Sequence, residues 1–186
     1  MTSYELTGAI VTERLVLRAM TEGDLDDIHA WMSDPDVARY QLYEPRTRAD
    51  VAERLPEWSA ARRLENDGDY LQLAIELPGD RVIGCLYFKL TSLDNLAGEI
   101  GWALTADYHG KGYAFEAASA VLDLAFGQLG LHRVMANLDP RNAASAQLCE
   151  RLGMRHEAHH VEDLLFKGAW ADTAIYAILD REWLSR

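Results

Sequence analysis

Cysteine is scarce in this chain, with only Cys85 and Cys149 among 186 residues. Two thiols without metal-type spacing supply neither a disulfide framework nor a thiolate metal site, so both are expected to be buried free thiols. Basic residues are also few: 18 Lys and Arg against 30 Asp and Glu leave a formal charge of −12. Proteins that bind nucleic acid displace counterions with a basic footprint, and none is present, so a nucleic-acid partner is not expected. No apolar run approaches the roughly 20 residues of a membrane-spanning helix. The stretch Met1 to Ile10 lacks the charged-then-apolar pattern of a signal peptide, and the expected location is therefore the cytoplasm. Repeats, low-complexity tracts and long linkers are missing too, which points to one domain over residues 1–186.

The 49% of hydrophobic residues is ample for a core. The acidic field favours cationic partners such as amines. An anionic cofactor stays compatible with it if backbone N–H groups, which carry no formal charge, do the binding.

Apolar and charged residues alternate over Arg14–Arg18, predicting a strand. Thr21 ahead of acidic residues, with Leu25, Ile28 and Met32 at helical spacing, predicts a helix from Asp24 to Met32. A second helical pattern runs from Arg48 to about Glu65, and Pro56 inside it predicts a kink or two shorter pieces. Strands follow at Tyr70–Leu77, Arg81–Leu90 and Ala97–Leu104, separated by turns at Pro78-Gly79-Asp80 and Ser92–Asn95. An Ala-rich helix spans Tyr113–Leu129 and closes at Gly130. A strand at His132–Asn137, a helix at Asn142–Leu152 closed by Gly153, and a hairpin turning at Lys167-Gly168 complete the chain. Hairpins combined with two β-α units predict an α/β (α+β) fold: a mixed, mostly antiparallel sheet with helices on both faces.

Chemistry concentrates in Leu104-Thr105-Ala106-Asp107-Tyr108-His109-Gly110-Lys111-Gly112-Tyr113-Ala114, which joins a strand to a helix. The first turn of a helix has unpaired N–H groups and partial positive charge, and two glycines allow a ligand close to the backbone. Such a turn suits a phosphate or pyrophosphate, although a glycine pair alone also describes an ordinary strand-to-helix turn. The nucleotide-triphosphate loop is ruled out because Tyr113 follows Gly112 where Lys-Ser/Thr would be needed. The three-glycine dinucleotide fingerprint is absent.

His109-x-x-Gly112-x-Ala114 resembles the pyrophosphate-binding signature of the GNAT acetyltransferases, Gln/Arg-x-x-Gly-x-Gly/Ala. The resemblance continues in Glu99-Ile100-Gly101-Trp102-Ala103-Leu104, in the loop and helix start Gly110–Ala117, in Asn142-Ala143-Ala144-Ser145, and in Glu150-Arg151-Leu152-Gly153-Met154. These segments are similar to the subgroup that acetylates ribosomal-protein N-termini (RimJ/RimL type). With Thr12–Arg18 and Tyr176–Leu179 the likeness runs from Thr12 to Trp183, strongest from Glu99 to Met154. It departs in two places: His109 stands where Gln or Arg is usual, and Cys149 stands where many relatives carry a Tyr as general acid.

The resemblance implies direct transfer of an acetyl group from acetyl-coenzyme A to an amine, a peptide N-terminus or a small cationic molecule. It implies that Trp102, Ala103 and Leu104 pair with the pantetheine arm, while N–H groups from His109 to Ala114, including Gly110, Lys111, Gly112 and Tyr113, hold the pyrophosphate. Lys111 either adds charge or is a solvated turn lysine. Glu99 is the candidate general base, acting through water, or else a charge on the polar face of a strand. Asn142 is an N-cap that in relatives also contacts pantetheine. Ser145, one turn on, is the candidate acid for the departing thiolate, or a hydroxyl in an Ala-rich helix; Cys149 reads as core. Glu116 reads as a complement to the helix dipole. Trp31, Trp58 and Tyr40 to Tyr43 fall where relatives cover the acceptor, with core packing as the alternative. His156, His159 and His160 lack metal-ligand spacing, and no metal is assigned. A homodimer is implied by resemblance alone. A coenzyme A-binding domain without turnover, and transfer of a longer acyl group, remain open.

Overall fold

The computed structural model describes residues 3–186. Short strands β1 (Tyr4–Glu5) and β2 (Ile10–Val11) lead into β3 (Val16–Ala19). β3 begins later than the alternation suggests because Thr12 and Leu15 close a turn, through a 2.9 Å backbone bond and a 3.0 Å bond from the Leu15 N–H to the Thr12 hydroxyl. Helix α1 (Leu25–Met32) follows a single 3-10 turn. That turn is started by the Asp24 carboxylate, which accepts the Thr21 N–H at 2.7 Å and its hydroxyl at 3.0 Å.

A short α2 (Pro35–Ala38) and a loop precede α3 (Arg48–Ala60). Thr47 and Asp50 cap α3 reciprocally. Pro56 does not split α3. Its missing N–H would have bonded the carbonyl of Ala52, and both residues are exposed, so that carbonyl faces solvent. The helix ends at Ala60 rather than near Glu65 because β4 (Arg63–Leu64) pairs with β1.

The remaining elements are β5 (Tyr70–Glu76), β6 (Val82–Ser92), β7 (Ala97–Leu104), α4 (Tyr113–Asp123), β8 (Arg133–Leu138), α5 (Ala143–Arg151), β9 (Arg155–Phe166), β10 (Ala169–Leu179) and α6 (Asp180–Trp183). The Ala-rich helix has its expected length, but its end, Leu124–Gln128, widens into a π turn before Gly130 reverses the chain at φ 66.

Eight strands form one sheet in the order β2-β3-β5-β6-β7-β8-β10-β9. Every neighbouring pair is antiparallel except β7 with β8, the pair that α4 connects. Alternation along the strands sends Leu71, Leu73, Leu86, Phe88 and Ile100 to one face, where they pack with Ala117, Val121 and Leu122 of α4 and Leu148 of α5. Ala74, Cys85 and Ala103 face the other way, against Ile28 and Trp31 of α1 and Val51 and Leu55 of α3. Helices therefore cover both faces. Both cysteines are free and buried. Among the described residues no helix is long and apolar enough to cross a membrane.

Candidate active site

The site begins where the sheet comes apart. β7 pairs with β6 along its whole length, Ala97 to Leu104, but with β8 only at Ala97, Gly98 and Glu99. Past Glu99 the two parallel strands diverge, and β8 continues against β10. The Thr105 N–H bonds the Ile83 carbonyl at 2.8 Å, which fixes the phase of the β6–β7 ladder. Antiparallel alternation then turns the peptide groups of Trp102 and Leu104 away from β6 and into the gap, while those of Ala103 face β6. Only glycine fits opposite this point on β6: a Cβ on Gly84 would lie 2.2 Å from the Ala103 carbonyl oxygen. Of the two edge residues, Leu104 already uses its carbonyl, 2.9 Å from His109 Nε2.

β7 leads into the glycine turn. A 3-10 turn at Ala106–Tyr108 consumes the N–H groups of Tyr108 and His109, each donating at 3.0 Å, to Thr105 and Ala106 respectively. His109 thus contributes its ring to the edge strand, and its N–H is not free for a ligand as the signature suggests. Gly110 (φ 72) and Gly112 (φ 85) then adopt left-handed backbone, which a side chain would strain. The first bond of α4 is the Glu116 N–H to the Gly112 carbonyl at 3.0 Å. Among the described residues, no backbone bond of the turn uses the N–H of Gly110, Lys111, Gly112, Tyr113, Ala114 or Phe115. This is a set of amide donors at a helix start, suited to an anion.

Arg14 and Glu116 brace this turn. Arg14 donates from Nε to Glu116 Oε2 at 2.7 Å and from Nη1 to the Lys111 carbonyl at 3.0 Å, and its guanidinium lies 4.7 Å from the centre of the Tyr113 ring. Glu116 also accepts the Thr12 hydroxyl at 2.6 Å and the Arg14 N–H at 2.7 Å. Burial pushes the Glu116 carboxyl up, but these hydrogen bonds outweigh it and hold the group below its ordinary range. Glu116 is therefore an anchor between the N-terminal segment and α4, a role beyond dipole complementation. Nothing local in the sequence joins residues this far apart.

On the far side of the gap, Asn142 caps α5 by accepting the Ser145 N–H at 3.1 Å. Ser145 Oγ accepts from Trp102 Nε1 at 3.3 Å, a long contact that links α5 to β7. With an N–H pointed at its oxygen, the hydroxyl must aim its own proton elsewhere. Cys149 is fully buried in the core, and burial pushes its thiol up to about 12, so it stays protonated at neutral pH.

Two cavities meet at this junction. The larger, about 650 Å³, is bounded by Leu104, His109, Gly110, Gly112, Tyr113 and Ala114. The second, about 420 Å³, lies between the sheet and the α1–α3 region, where Trp31, Tyr43, Arg46, Arg54, Trp58 and Glu99 line it. Trp102, Ala103, Asn142, Ser145, Tyr40 and Gln41 line both. The sequence-predicted residues are thus brought together, with Glu99 in the second cavity alone. Lys111 lines neither cavity. It is exposed, with its ammonium 5.2 Å from the centre of the Tyr108 ring. Tyr87 stands beside Glu99, and burial followed by that charge pushes its hydroxyl up to about 12.

Sequence reading passed over Arg14, Arg46, Arg54 and Arg151. Arg151 lines the larger cavity and lies 4.9 Å from the centre of the Phe115 ring. It belongs to the Glu150–Met154 motif, which could have pointed to it. Among the described residues, no group of three or more His, Cys, Asp or Glu side chains converges as metal ligands would.

A family model described as an acetyltransferase (GNAT) domain matches residues 14–155. The uncharacterized N-acetyltransferase p20 of Bacillus licheniformis is 30% identical over 174 residues, 94% of this chain and 97% of that protein. The ribosomal protein uS5-alanine N-acetyltransferase of Escherichia coli is 33% identical over 84 residues, 45% of this chain and 43% of its own length. An acetyltransferase (GNAT family) from Bacillus anthracis has a TM-score of 0.84 at 30% identity, covering 94% of this chain and 100% of the other. Spermidine N-acetyltransferase from Vibrio cholerae, solved in complex with CoA and spermine, shares the fold with a TM-score of 0.76 at 24% identity, over 92% and 98% of the two chains. The divided sheet, the amide-lined turn and these matches converge: the chain belongs to the GNAT family and is an acyltransferase that uses acetyl-coenzyme A.

Proposed function

We propose that the protein transfers the acetyl group directly to a primary amine, with the donor in the larger cavity and the acceptor in the smaller. One observation carries this reading: both cavities open onto Ser145, Asn142 and Trp102, so two substrates would meet there. Holding reactants in line removes much of the entropic barrier, and a shared junction is what direct transfer requires.

Acetyl-coenzyme A supplies an activated thioester carbonyl. The amides from Gly110 to Ala114 hold its diphosphate, supported by their lack of backbone acceptors. The outward peptide groups of Trp102 and Leu104 align the pantetheine arm as an added strand. Ala103, whose own peptide group faces β6, bounds the passage with its methyl. Asn142, its Oδ1 committed to the cap, offers its amide nitrogen to that arm.

Glu99 takes a proton from the acceptor ammonium through water, since an alkyl ammonium with a pKa of about 10 is charged at neutral pH. The nitrogen lone pair then forms the new C–N bond as the C–S bond breaks, and the electron pair of that bond leaves on sulfur. Ser145 protonates the sulfur and is itself reprotonated by the second proton that the nitrogen sheds as the amide forms. Cys149 offers no substitute for the tyrosine of relatives, because it faces the core.

The subgroup likeness, carried by residues Glu99 to Met154, favours a peptide N-terminus; the net charge of −12 favours a small cationic amine. A homodimer accompanies the family resemblance, and a cytoplasmic location is proposed beside it. The test is thiol release from acetyl-coenzyme A with a panel of amines, followed by mass spectrometry of the products. Release dependent on an amine, with an acetylated product, is expected. A protein that binds coenzyme A yet releases thiol no faster than buffer would instead be a binding domain without turnover. Faster transfer of a longer acyl group would reassign the donor.

A further inference from the structure

The smaller cavity has an excess of hydrogen-bond donors. Four buried side-chain polar atoms lack a hydrogen-bond partner among the described residues, and three of them, Trp31 Nε1, Tyr43 Oη and Arg46 Nε, belong to residues lining this cavity. Trp31 is 1% exposed. An indole N–H and a guanidinium N–H can only donate, and a buried donor left unpaired is costly, so the ligand these groups await supplies acceptor atoms.

Charge agrees. Arg46 and Arg54 both line the cavity, and neither makes an ion pair with a carboxylate among the described residues, whereas Arg14, Arg18, Arg48 and Arg133 all do. Desolvation and the neighbouring Arg54 together hold Arg46 below its ordinary range, against weaker opposition from Tyr43 and Asp50. Asp50 senses both arginines, but its carboxylate is engaged by the Thr47 N–H at 2.9 Å and hydroxyl at 2.7 Å. Among the described residues, the only carboxylate lining the cavity is Glu99, on β7. Arg46 precedes α3 and Arg54 lies within it, and the cavity wall next to α3 includes Gln72 of β5, two strands or about 10 Å from β7.

We infer that the acceptor is an amino carboxylate, with its amine at the Glu99–Ser145 end and its carboxylate against Arg46 and Arg54. This rests on the transferase reading above and narrows it. A polyamine offers only donors and further positive charge, and would leave Trp31 and Arg46 unpaired while adding repulsion. The protein's net charge does not reverse this, because surface charges beyond about 8–10 Å are screened at physiological salt. The aromatic walls, Trp31, Trp58, Tyr40, Tyr43 and Tyr87, suit an apolar side chain on the same acceptor. In the transfer, the acceptor nitrogen gains the acetyl carbon as the C–S bond breaks, its proton ends on sulfur, and the carboxylate is unchanged.

The test compares phenylalanine, phenylalaninamide, phenethylamine and spermidine as acceptors for the whole protein with acetyl-coenzyme A, read as thiol release. Phenylalanine is expected to have a kcat/KM at least about tenfold above its amide and the bare amine, as charge-assisted pairing to a guanidinium would give. The less basic amine of the amide would favour the opposite order, so basicity cannot place phenylalanine above its amide. Arg54→Gln, at an exposed residue that lines the acceptor cavity and not the donor cavity, is expected to reduce the preference to within about threefold while leaving coenzyme A affinity unchanged. Arg46→Gln should do the same. Binding of N-acetylphenylalanine against its amide gives a second readout that does not need turnover, with the same preference and the same loss in Arg54→Gln. Transfer to all four amines without a carboxylate preference, or fastest to spermidine, overturns the inference and leaves the transferase intact. No thiol release from any amine, with coenzyme A still bound, overturns the transferase reading and this inference with it.

Discussion

The two cavities that meet at Ser145 are built by different means. The donor side relies on backbone: the outward edge of β7, two left-handed glycines and the start of α4. The acceptor side relies on side chains drawn from α1, the loop after α2, α3 and four strands of the sheet. Backbone donors cannot be changed by substituting the residue that carries them, except where a side chain cannot be tolerated. Side-chain donors can be changed one at a time. The donor half should therefore fail only at its glycines, and the acceptor half should change specificity residue by residue.

The largest effect is expected at Gly112. Any side chain there meets a left-handed backbone costing about 1–2 kcal/mol, and a would-be Cβ lies 3.3 Å from Arg14 Nη2. Gly112→Glu adds a negative charge facing a diphosphate, and calorimetry should show coenzyme A affinity falling on the order of a hundredfold. Gly112→Ala, with strain alone, should lose about tenfold. Unchanged affinity in both would remove the distinction between the cavities.

Next comes the junction itself. Ser145→Ala should lower turnover roughly a hundredfold, at the lower end of general-acid contributions, with coenzyme A affinity within about twofold of the parent. Equal turnover would remove its acid role. Equal losses in turnover and in cofactor affinity would mean that Ser145 only shapes the cavity.

The smallest effect on either cavity is expected at Asp24, which lines neither. Burial pushes its carboxyl up, but hydrogen bonds from Arg18 and Thr21 prevail and hold it below the ordinary carboxylate range. A depressed folded-state pKa stabilises the protein fully above the unfolded value of about 3.9, and that contribution is lost as pH falls through the folded value. Asp24→Asn should therefore lower thermal stability at neutral pH, by about 1–3 kcal/mol, and flatten its decline below about pH 4. Kinetic constants should not move. A change in acceptor preference would mean that the α1 region is coupled to the site.

The same contrast explains what could be read from sequence. Gly110, Gly112 and Asn142 announce themselves because each serves a local backbone need, a left-handed turn or a cap, at fixed spacing, and Ser145 is legible through the family motif that follows Asn142. The parallel step between β7 and β8 is likewise implied by the helix that joins them. The acceptor cavity carries no such local signal. Arg46 and Arg54 look like ordinary surface arginines until α3 folds over the sheet, and Trp31, open in sequence between acceptor cover and core, is buried, lines the cavity and leaves its Nε1 without a partner. The clamp of Glu116 on Thr12 and Arg14 bridges distant segments, and no periodicity encodes it. Pro56 misled for a related reason: whether a proline breaks a helix depends on where the orphaned carbonyl points, and on α3 it points to solvent.

Everything depends on free amides at the start of α4 holding the diphosphate. The most direct measurement is a backbone amide NMR titration with coenzyme A. The N–H signals of Gly110 and Gly112 through Ala114 should shift most and saturate together, while those of His109 and Tyr108, already bonded within the turn, shift less. Saturable binding with the Gly110–Ala114 signals unmoved would contradict the account.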